Sequence, residues 1–280
     1  MRAITVSPGV AESARLDDVP EPPPSDGAVL ARTLALGVCG TDREILSGVY
    51  GFAPPGEGRL VLGHESLGEV EIAPPGCGLT RGDLVVGIVR RPDPEPCLAC
   101  AVGEWDMCRN GRYTERGIKE RHGYGAERFR IEPEFAVKVD PSLGILGVLL
   151  EPASILAKAW DHTERIGHRA RAWQPRSLLV TGAGPIGLLA ALMGVQRGLD
   201  VHVYDHNKGG PKEALTRATA GVLGRPPRPP PRRLRQRHLP PTVVDCPGQA
   251  RGLPGPPTDG DGTRRGDADL AHACVGPLVS

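Results

Sequence analysis

Residues 177–205 constrain this 280-residue chain more than any other stretch. Leu178–Thr181 is an apolar run that reads as a strand and enters Gly182-Ala183-Gly184-Pro185-Ile186-Gly187. Leu188–Val195 then reads as a helix, and Val201–Tyr204 as a second strand ending at Asp205, 18 residues after Gly187. Strand, glycine turn, helix and strand at these offsets form a βαβ unit, which implies a parallel sheet and an α/β fold. Gly182 permits the tight turn, Gly184 lets the main chain approach a pyrophosphate, and Gly187 lets helix and strand pack closely. Phosphate would rest on the helix N-terminus around Pro185 and Ile186, where free N–H groups and the helix dipole favour anions. Asp205 would accept hydrogen bonds from the adenosine ribose, which favours NAD. His206, Asn207 and Lys208 offer a seat for a 2′-phosphate, so the choice between NAD and NADP stays open. The bland alternative is an ordinary βαβ turn with no ligand. Ser177–Gln196 carries no charge over 20 residues, long enough to span a bilayer. The ordered Gly and Pro motif inside it argues for a soluble nucleotide loop instead.

Upstream, residues 1–150 read as a β-rich unit. The short apolar runs Ala28–Leu36, Arg59–Leu62, Leu84–Val89 and Ala136–Val139 are separated by Pro and Gly clusters, as in short strands joined by turns. Residues 151–165 have helical spacing that puts Ile155, Ala159 and His162 on one side. Residues 211–217 look like the start of another helix, with Pro211 allowed in its first turn.

After Arg217 the periodicity stops. All of the aromatic residues lie before residue 218, whereas 12 of the 30 prolines lie beyond it. RPPRPPPRRLRQRHLPP supports neither helix nor strand, since proline removes N–H donors and fixes φ. Only Thr242–Cys246 looks strand-like. The expected organisation is therefore 1–150, 151–217 and a disordered tail over 218–280. A doubly wound domain needs about six strands, and only two are legible before Arg217. The tail's composition suits a shifted reading frame of a GC-rich gene, entered near 217–220; a real disordered extension on a truncated enzyme is the alternative.

The net charge of +1 and a basic tail without aromatics give no grip for nucleic acid. MRAITVSPG alternates like a strand and has no signal-peptide core, which points to a cytoplasmic protein. The odd count of seven cysteines argues against a disulfide framework and for metal binding. Cys39 sits in GVCGTD with Thr41 and Asp42 behind it, His64 and Glu65 are adjacent in LGHESLGEV, and Glu151 precedes Pro152. Thiolate, imidazole and carboxylate are zinc's ligand types. Sequence separation alone leaves this cluster a guess: a lone Cys is more often a buried small hydrophobe, and a Glu before Pro is more often a first-turn residue.

The order GVCGTD, GHE, GDLVV, Cys97-x2-Cys100-x7-Cys108, Glu151-Pro152 and GAGPIG resembles the zinc-dependent medium-chain dehydrogenases over about residues 1–217. YTERGIKERHGYGAERF and EPASILAKA make it most similar to the microbial glucose 1-dehydrogenases. The resemblance implies a GroES-like catalytic domain followed by an incomplete Rossmann-type domain. It implies a catalytic zinc on Cys39 and His64, with Glu65 and Glu151 as direct or exchanging carboxylates, and Thr41 as the hydroxyl that relays the substrate proton. Where alcohol dehydrogenases of the family carry a third Cys ligand, this chain has Glu151, which tilts the reading toward sugars and polyols. Glu115 matches a residue that grips sugar hydroxyls; a solvated loop carboxylate is the alternative. Cys97, Cys100 and Cys108 fall where the family builds a structural zinc lobe. The fourth Cys is missing and Asp93 lies near its place; an empty lobe with free thiols is the alternative.

The implied reaction passes a hydride from the anomeric carbon of an aldose, glucose favoured, to NAD(P), giving the aldonolactone. A polyol or other alcohol dehydrogenase, or an inactive truncated remnant, are the competing readings. The family is usually homo-oligomeric, but the missing C-terminal strands put that expectation in doubt here.

Overall fold

The computed structural model describes residues 1–206, 210–222 and 274–277, and falls into two compact units, Met1–Ala157 and Lys158–Ser280. The division lies within the helix Leu150–Gly167. The strand expected over Thr242–Cys246, the site residue Asn207 and most of the expected tail lie outside the described residues.

The first unit is built on an antiparallel five-stranded sheet in the order Arg128–Ile131, Val29–Gly37, Glu65–Ile72, Leu84–Gly87, Ala136–Val139. Alternation along these strands sends Val29, Ala31, Val70, Val85, Phe129 and Ile131 into one core around fully buried Tyr124. The Tyr124 hydroxyl donates to the Ile88 carbonyl at 3.0 Å, so the one polar atom in that core is satisfied. A second core joins Val6, Ile45, Leu60, Leu62 and Ile118. It packs the short helix Gly40–Leu46 against the sheet Arg15–Asp18, Arg2–Val6, Leu60–Val61. A third small sheet pairs Arg90–Arg91 with Thr114–Arg116, so the intervening cysteine lobe leaves and returns at one point.

The four apolar runs read from the sequence match the strands Val29–Gly37, Leu60–Val61, Leu84–Gly87 and Ala136–Val139 within a few residues, whereas Glu65–Ile72 and Arg128–Ile131, which carry charged residues between apolar ones, are not read as strands. The face of the linking helix differs. Ile155 is exposed, while Leu156 and Trp160 are buried at 2% and 4%. Both sets have an i, i+4 pair, so period alone cannot choose between them; the larger apolar volume of Leu156 and Trp160 takes the core side. Pro141–Gly167 is apolar and long enough to cross a membrane by composition, yet it is a short-pitch segment kinked at Gly144 joined to a helix carrying Asp161, Glu164 and Arg165.

In the second unit Ser177–Thr181 pairs in parallel with Asp200–Tyr204, with the helix Pro185–Gln196 between them in sequence. The uncharged stretch Ser177–Gln196 is thus a strand, a loop and a 12-residue helix rather than one span. Cys274–Pro277 pairs antiparallel on the other edge of Ser177–Thr181. Gly210–Val222 forms the further helix expected from Pro211.

Candidate metal and nucleotide sites

The helix Gly40–Leu46 begins at Cys39, and its first turn organises the site. The Thr41 N–H donates to Cys39 Sγ at 3.3 Å, and Asp42 Oδ2 accepts from the Cys39 N–H at 2.9 Å. This reciprocal cap satisfies two orphan donors of the helix start and fixes the thiol's direction. His64 and Glu65 stand at the start of Glu65–Ile72, whose register pairs Glu65 with Gly37. Glu65 lies directly over Gly37: a Cβ there would come within 2.0 Å of Glu65 Oε2. Only glycine leaves room for the carboxylate at this point.

The result is that Cys39 Sγ, one His64 ring nitrogen and one Glu65 oxygen all lie within 4.8 Å of one another. Cys39 Sγ and His64 Nε2 are 3.0 Å apart. On the far side of the ring, buried His64 Nδ1 has no well-formed hydrogen bond but lies 3.5 Å from Asp42 Oδ1. A ring with one nitrogen among ligand atoms and the other facing a carboxylate is how proteins orient a metal-binding histidine. Burial opposes charge on the Cys39 thiol, yet the His64 hydrogen bond and charge outweigh it and hold the thiol below its ordinary value. Burial equally opposes protonation of His64, but Asp42 and Cys39 push it up to about 10. Glu65 is raised by burial. Glu151 is raised to about 7, first by burial and then by the charges of Glu65 and Asp42. Its carboxyl is therefore within electrostatic reach of the cluster, though its oxygens are not among the three grouped ligand atoms. Buried anionic donors that repel one another, with an orphaned ring nitrogen backed by Asp42, suit a divalent cation. The donor set fits zinc.

Thr41 is half-buried beside Cys39. Glu115, on the strand Thr114–Arg116, is tied through Oε1 to Arg90 Nη2 at 2.7 Å and Arg90 Nε at 3.0 Å. Arg90 also covers the Tyr113 ring, 3.9 Å from its centroid. The structure thus gives Glu115 a half-buried, oriented position rather than a solvated one.

In the lobe, Cys97, Cys100 and Cys108 form a second group with sulfurs within 4.8 Å of one another. Main-chain hydrogen bonds from Arg109 and Cys100 lower Cys97 to about 6, while burial and the neighbouring sulfurs raise Cys100. Asp93 is buried nearby, but its carboxylate is not grouped with the three sulfurs. Oδ1 accepts from the Glu95 N–H at 2.9 Å, and Oδ2 faces Arg112 Nε at 3.5 Å without a well-formed hydrogen bond. Three sulfurs match zinc in kind, but a closed structural site takes four ligands, and no carboxylate or imidazole among the described residues joins the three.

In the nucleotide loop Gly182 has φ +93°, and a Cβ on Gly187 would lie 1.8 Å from the Gly182 carbonyl oxygen. A Cβ on Gly184 would meet nothing in the protein, so packing does not require glycine there; an approaching ligand would. Pro185 and Ile186 open a helix whose start has no side-chain cap. Asp205 Oδ2 accepts from the Ala183 N–H at 2.7 Å and pairs with Lys212 Nζ at 3.5 Å. Asp205 thus braces the loop as well as ending its strand, and His206 follows it at the edge of the described residues. These features fit a dinucleotide.

Two family profiles match the chain. Residues 25–141 match the alcohol dehydrogenase GroES-like domain, and residues 144–248 the glucose dehydrogenase C-terminus. The second match runs past Arg217, where the sequence resemblance was expected to end. A glucose 1-dehydrogenase of Methanocella arvoryzae is 45% identical over 223 residues, 79% of this chain and 62% of that protein. One of Thermoproteus tenax is 46% identical over 195 residues, covering 69% and 54%. The structure of Haloferax mediterranei glucose dehydrogenase in complex with NADP, Zn and gluconolactone superposes with a TM-score of 0.70 at 36% identity, covering 79% of this chain and 62% of that one. The chain therefore spans roughly three fifths of the length of these relatives or less.

Asp42 and Gly37 carry roles that sequence reasoning did not assign. Both sit in or beside GVCGTD, but only the pairing of Gly37 with Glu65 and the approach of Asp42 to His64 reveal them.

Proposed function

We propose that this chain carries the metal and nucleotide sites of a zinc-dependent, NAD(P)-linked aldose dehydrogenase. It oxidises the anomeric carbon of a sugar, glucose favoured, to the aldonolactone. The observation that carries the reading is the Cys39, His64 and Glu65 cluster with Glu151 nearby, in a chain similar to glucose 1-dehydrogenases. The superposition on a structure containing NADP, Zn and gluconolactone supports it and favours NADP over NAD.

Cys39, His64, Glu65 and Glu151 would hold the zinc, and the loop Gly182–Gly187 with Asp205 and His206 the dinucleotide. When bound, zinc supplies a Lewis acid that makes a hydroxyl acidic near neutral pH, and the nicotinamide supplies the hydride acceptor. Asp42 keeps the His64 ring turned with Nε2 toward Cys39. Glu151, raised to about 7 chiefly by burial, supplies a carboxyl able to exchange a proton near neutrality, and burial raises Glu65 as well. Thr41, in the turn that Cys39 caps, takes the hydroxyl proton on its way to solvent. Glu115, oriented by Arg90, accepts hydrogen bonds from sugar hydroxyls. The acceptor side of Glu115 and a carboxylate pair in place of a third thiolate favour a polyhydroxy substrate over a simple alcohol.

The test is turnover by the expressed chain with glucose, galactose, xylose, sorbitol and ethanol, each with NADP and NAD. Glucose with NADP should lead, and chelation should abolish turnover until zinc is restored. Equal turnover by metal-stripped protein would overturn the zinc assignment. Nucleotide titration followed by NADPH fluorescence separates a failed chemical step from a failure to bind cofactor.

A further inference from the structure

The cysteine lobe holds three sulfurs and no fourth ligand among the described residues. Cys97 Sγ and Cys100 Sγ are 3.7 Å apart, in van der Waals contact. Cys97 and Cys108 are half-buried and reachable, whereas Cys100 is buried beneath them. Cys97 begins the helical turn Leu98–Ala101, and the Arg109 N–H donates to its sulfur at 3.4 Å. Asp93 gives Oδ1 to the Glu95 N–H, and its carboxylate is not among the ligand atoms grouped with the three sulfurs. An accessible thiol in contact with a buried one is the layout of an exchanging dithiol.

We propose that Cys97 and Cys100 form a reversible dithiol–disulfide pair that reacts with low-molecular-weight disulfides, making the lobe a redox-responsive element. The Cys97 thiolate attacks one sulfur of the small disulfide, forming a mixed disulfide and releasing one small thiolate. Cys100 then attacks Cys97 Sγ, forming the Cys97–Cys100 bond and releasing the second small thiolate. The two protons given up by the protein thiols end on the two small thiols, and two electrons pass from the protein to the small disulfide. Closing from contact to a bond of about 2.05 Å needs side-chain rotation within one turn. Cys108 stays reduced. Its sulfur lies within 4.8 Å of the other two, so it is the fair competitor for the pairing.

The experiment uses the full chain as purified, exposed to oxidised glutathione, then quenched in acid, alkylated and mapped by mass spectrometry. The expected product is a peptide linking Cys97 and Cys100 that dithiothreitol reverses. In Cys100→Ser the reaction should stop with glutathione retained on Cys97. In Cys108→Ser the Cys97–Cys100 link should form as in the parent chain, and this variant keeps the test open should loss of Cys100 unfold the lobe. A bond to Cys108 instead, or labelling of Cys97 no faster than that of the isolated thiol Cys77, would overturn the pairing. Three lobe thiols protected from both reagents until a chelator is added would overturn it in favour of a closed metal site.

Discussion

The two sulfur-containing clusters of the first unit are built in opposite ways. Cys39, His64 and Glu65 come from two separate segments and Glu151 from a third, and each is braced by something that is not a ligand. The helix cap directs Cys39, Asp42 faces His64, and Gly37 makes room for Glu65. Cys97, Cys100 and Cys108 lie within 12 residues and are braced mainly by local main chain. Support differs in the same way. The first cluster rests on Ile45 and its core neighbours, while the lobe is anchored at its base. There Glu132 pairs with Arg91 on the outgoing strand and with Arg116 and Arg121 on the return. A centre assembled from distant segments requires the whole domain; a local lobe can change state without it.

That contrast predicts where substitution should hurt most. His64→Ala or Cys39→Ser removes one of the proposed zinc ligands, so kcat/KM should fall at least about a thousandfold, the worth of several kcal/mol of charge stabilisation. The fold should survive, because neither side chain fills a hydrophobic core; circular dichroism and thermal melting check this. The matching substitution in the lobe, Cys108→Ser, should leave kcat/KM within about twofold. A comparable loss from both would erase the distinction between an assembled centre and an independent lobe.

Asp42→Asn is the next sharpest probe, because it keeps a side chain able to cap the helix while removing the charge beside His64 Nδ1. Loss of such an outer partner typically weakens metal binding or activity about 10–100-fold. Competition for zinc against a chromophoric chelator should show that drop, with melting temperature nearly unchanged because the Asn amide oxygen can still accept from the Cys39 N–H. A stability loss without a change in zinc affinity would mean that Asp42 serves the helix alone.

How much of this was readable in advance follows the same division. The nucleotide loop was legible because its elements are contiguous: Gly182, Gly187 and Asp205 sit at offsets that physical packing dictates, and strand, helix and strand appear where expected. The lobe's three cysteines were legible from spacing for the same reason. The assembled centre was not. GVCGTD and GHES are 20-odd residues apart and Glu151 lies far beyond, so only resemblance joined them. The bracing contacts were invisible because they depend on register: Gly37 matters only once it is opposite Glu65. The linking helix shows the limit of periodicity, since Ile155 and Ala159 match the template as well as buried Leu156 and Trp160 do. Asp93 shows the limit of proximity, since closeness to the missing Cys position did not bring its carboxylate among the sulfurs.

The smallest expected effect concerns the lobe's anchor. Burial would raise the Glu132 carboxyl, but hydrogen bonds from Arg91 and the charges of Arg91 and Arg121 outweigh it and hold it at about 2, against an ordinary value of 4.5. The folded protein thus binds a proton at Glu132 less readily than the unfolded chain. Its contribution to stability is fully present above about pH 4.5 and is lost as pH falls toward 2. Because the side chain is 23% exposed, screening reduces the gain to roughly 1–2 kcal/mol. Glu132→Gln should therefore melt lower than the parent at pH 7, with the gap closing between pH 4.5 and 2. It should also raise the rate at which Cys97 is alkylated, because the strands at the foot of the lobe lose their common counter-ion, while zinc affinity at Cys39 and His64 should not move. A gap that persists unchanged at pH 2 would mean that Glu132 acts through packing rather than charge. A parallel loss of zinc would mean that the lobe and the assembled centre share one cooperative unit after all.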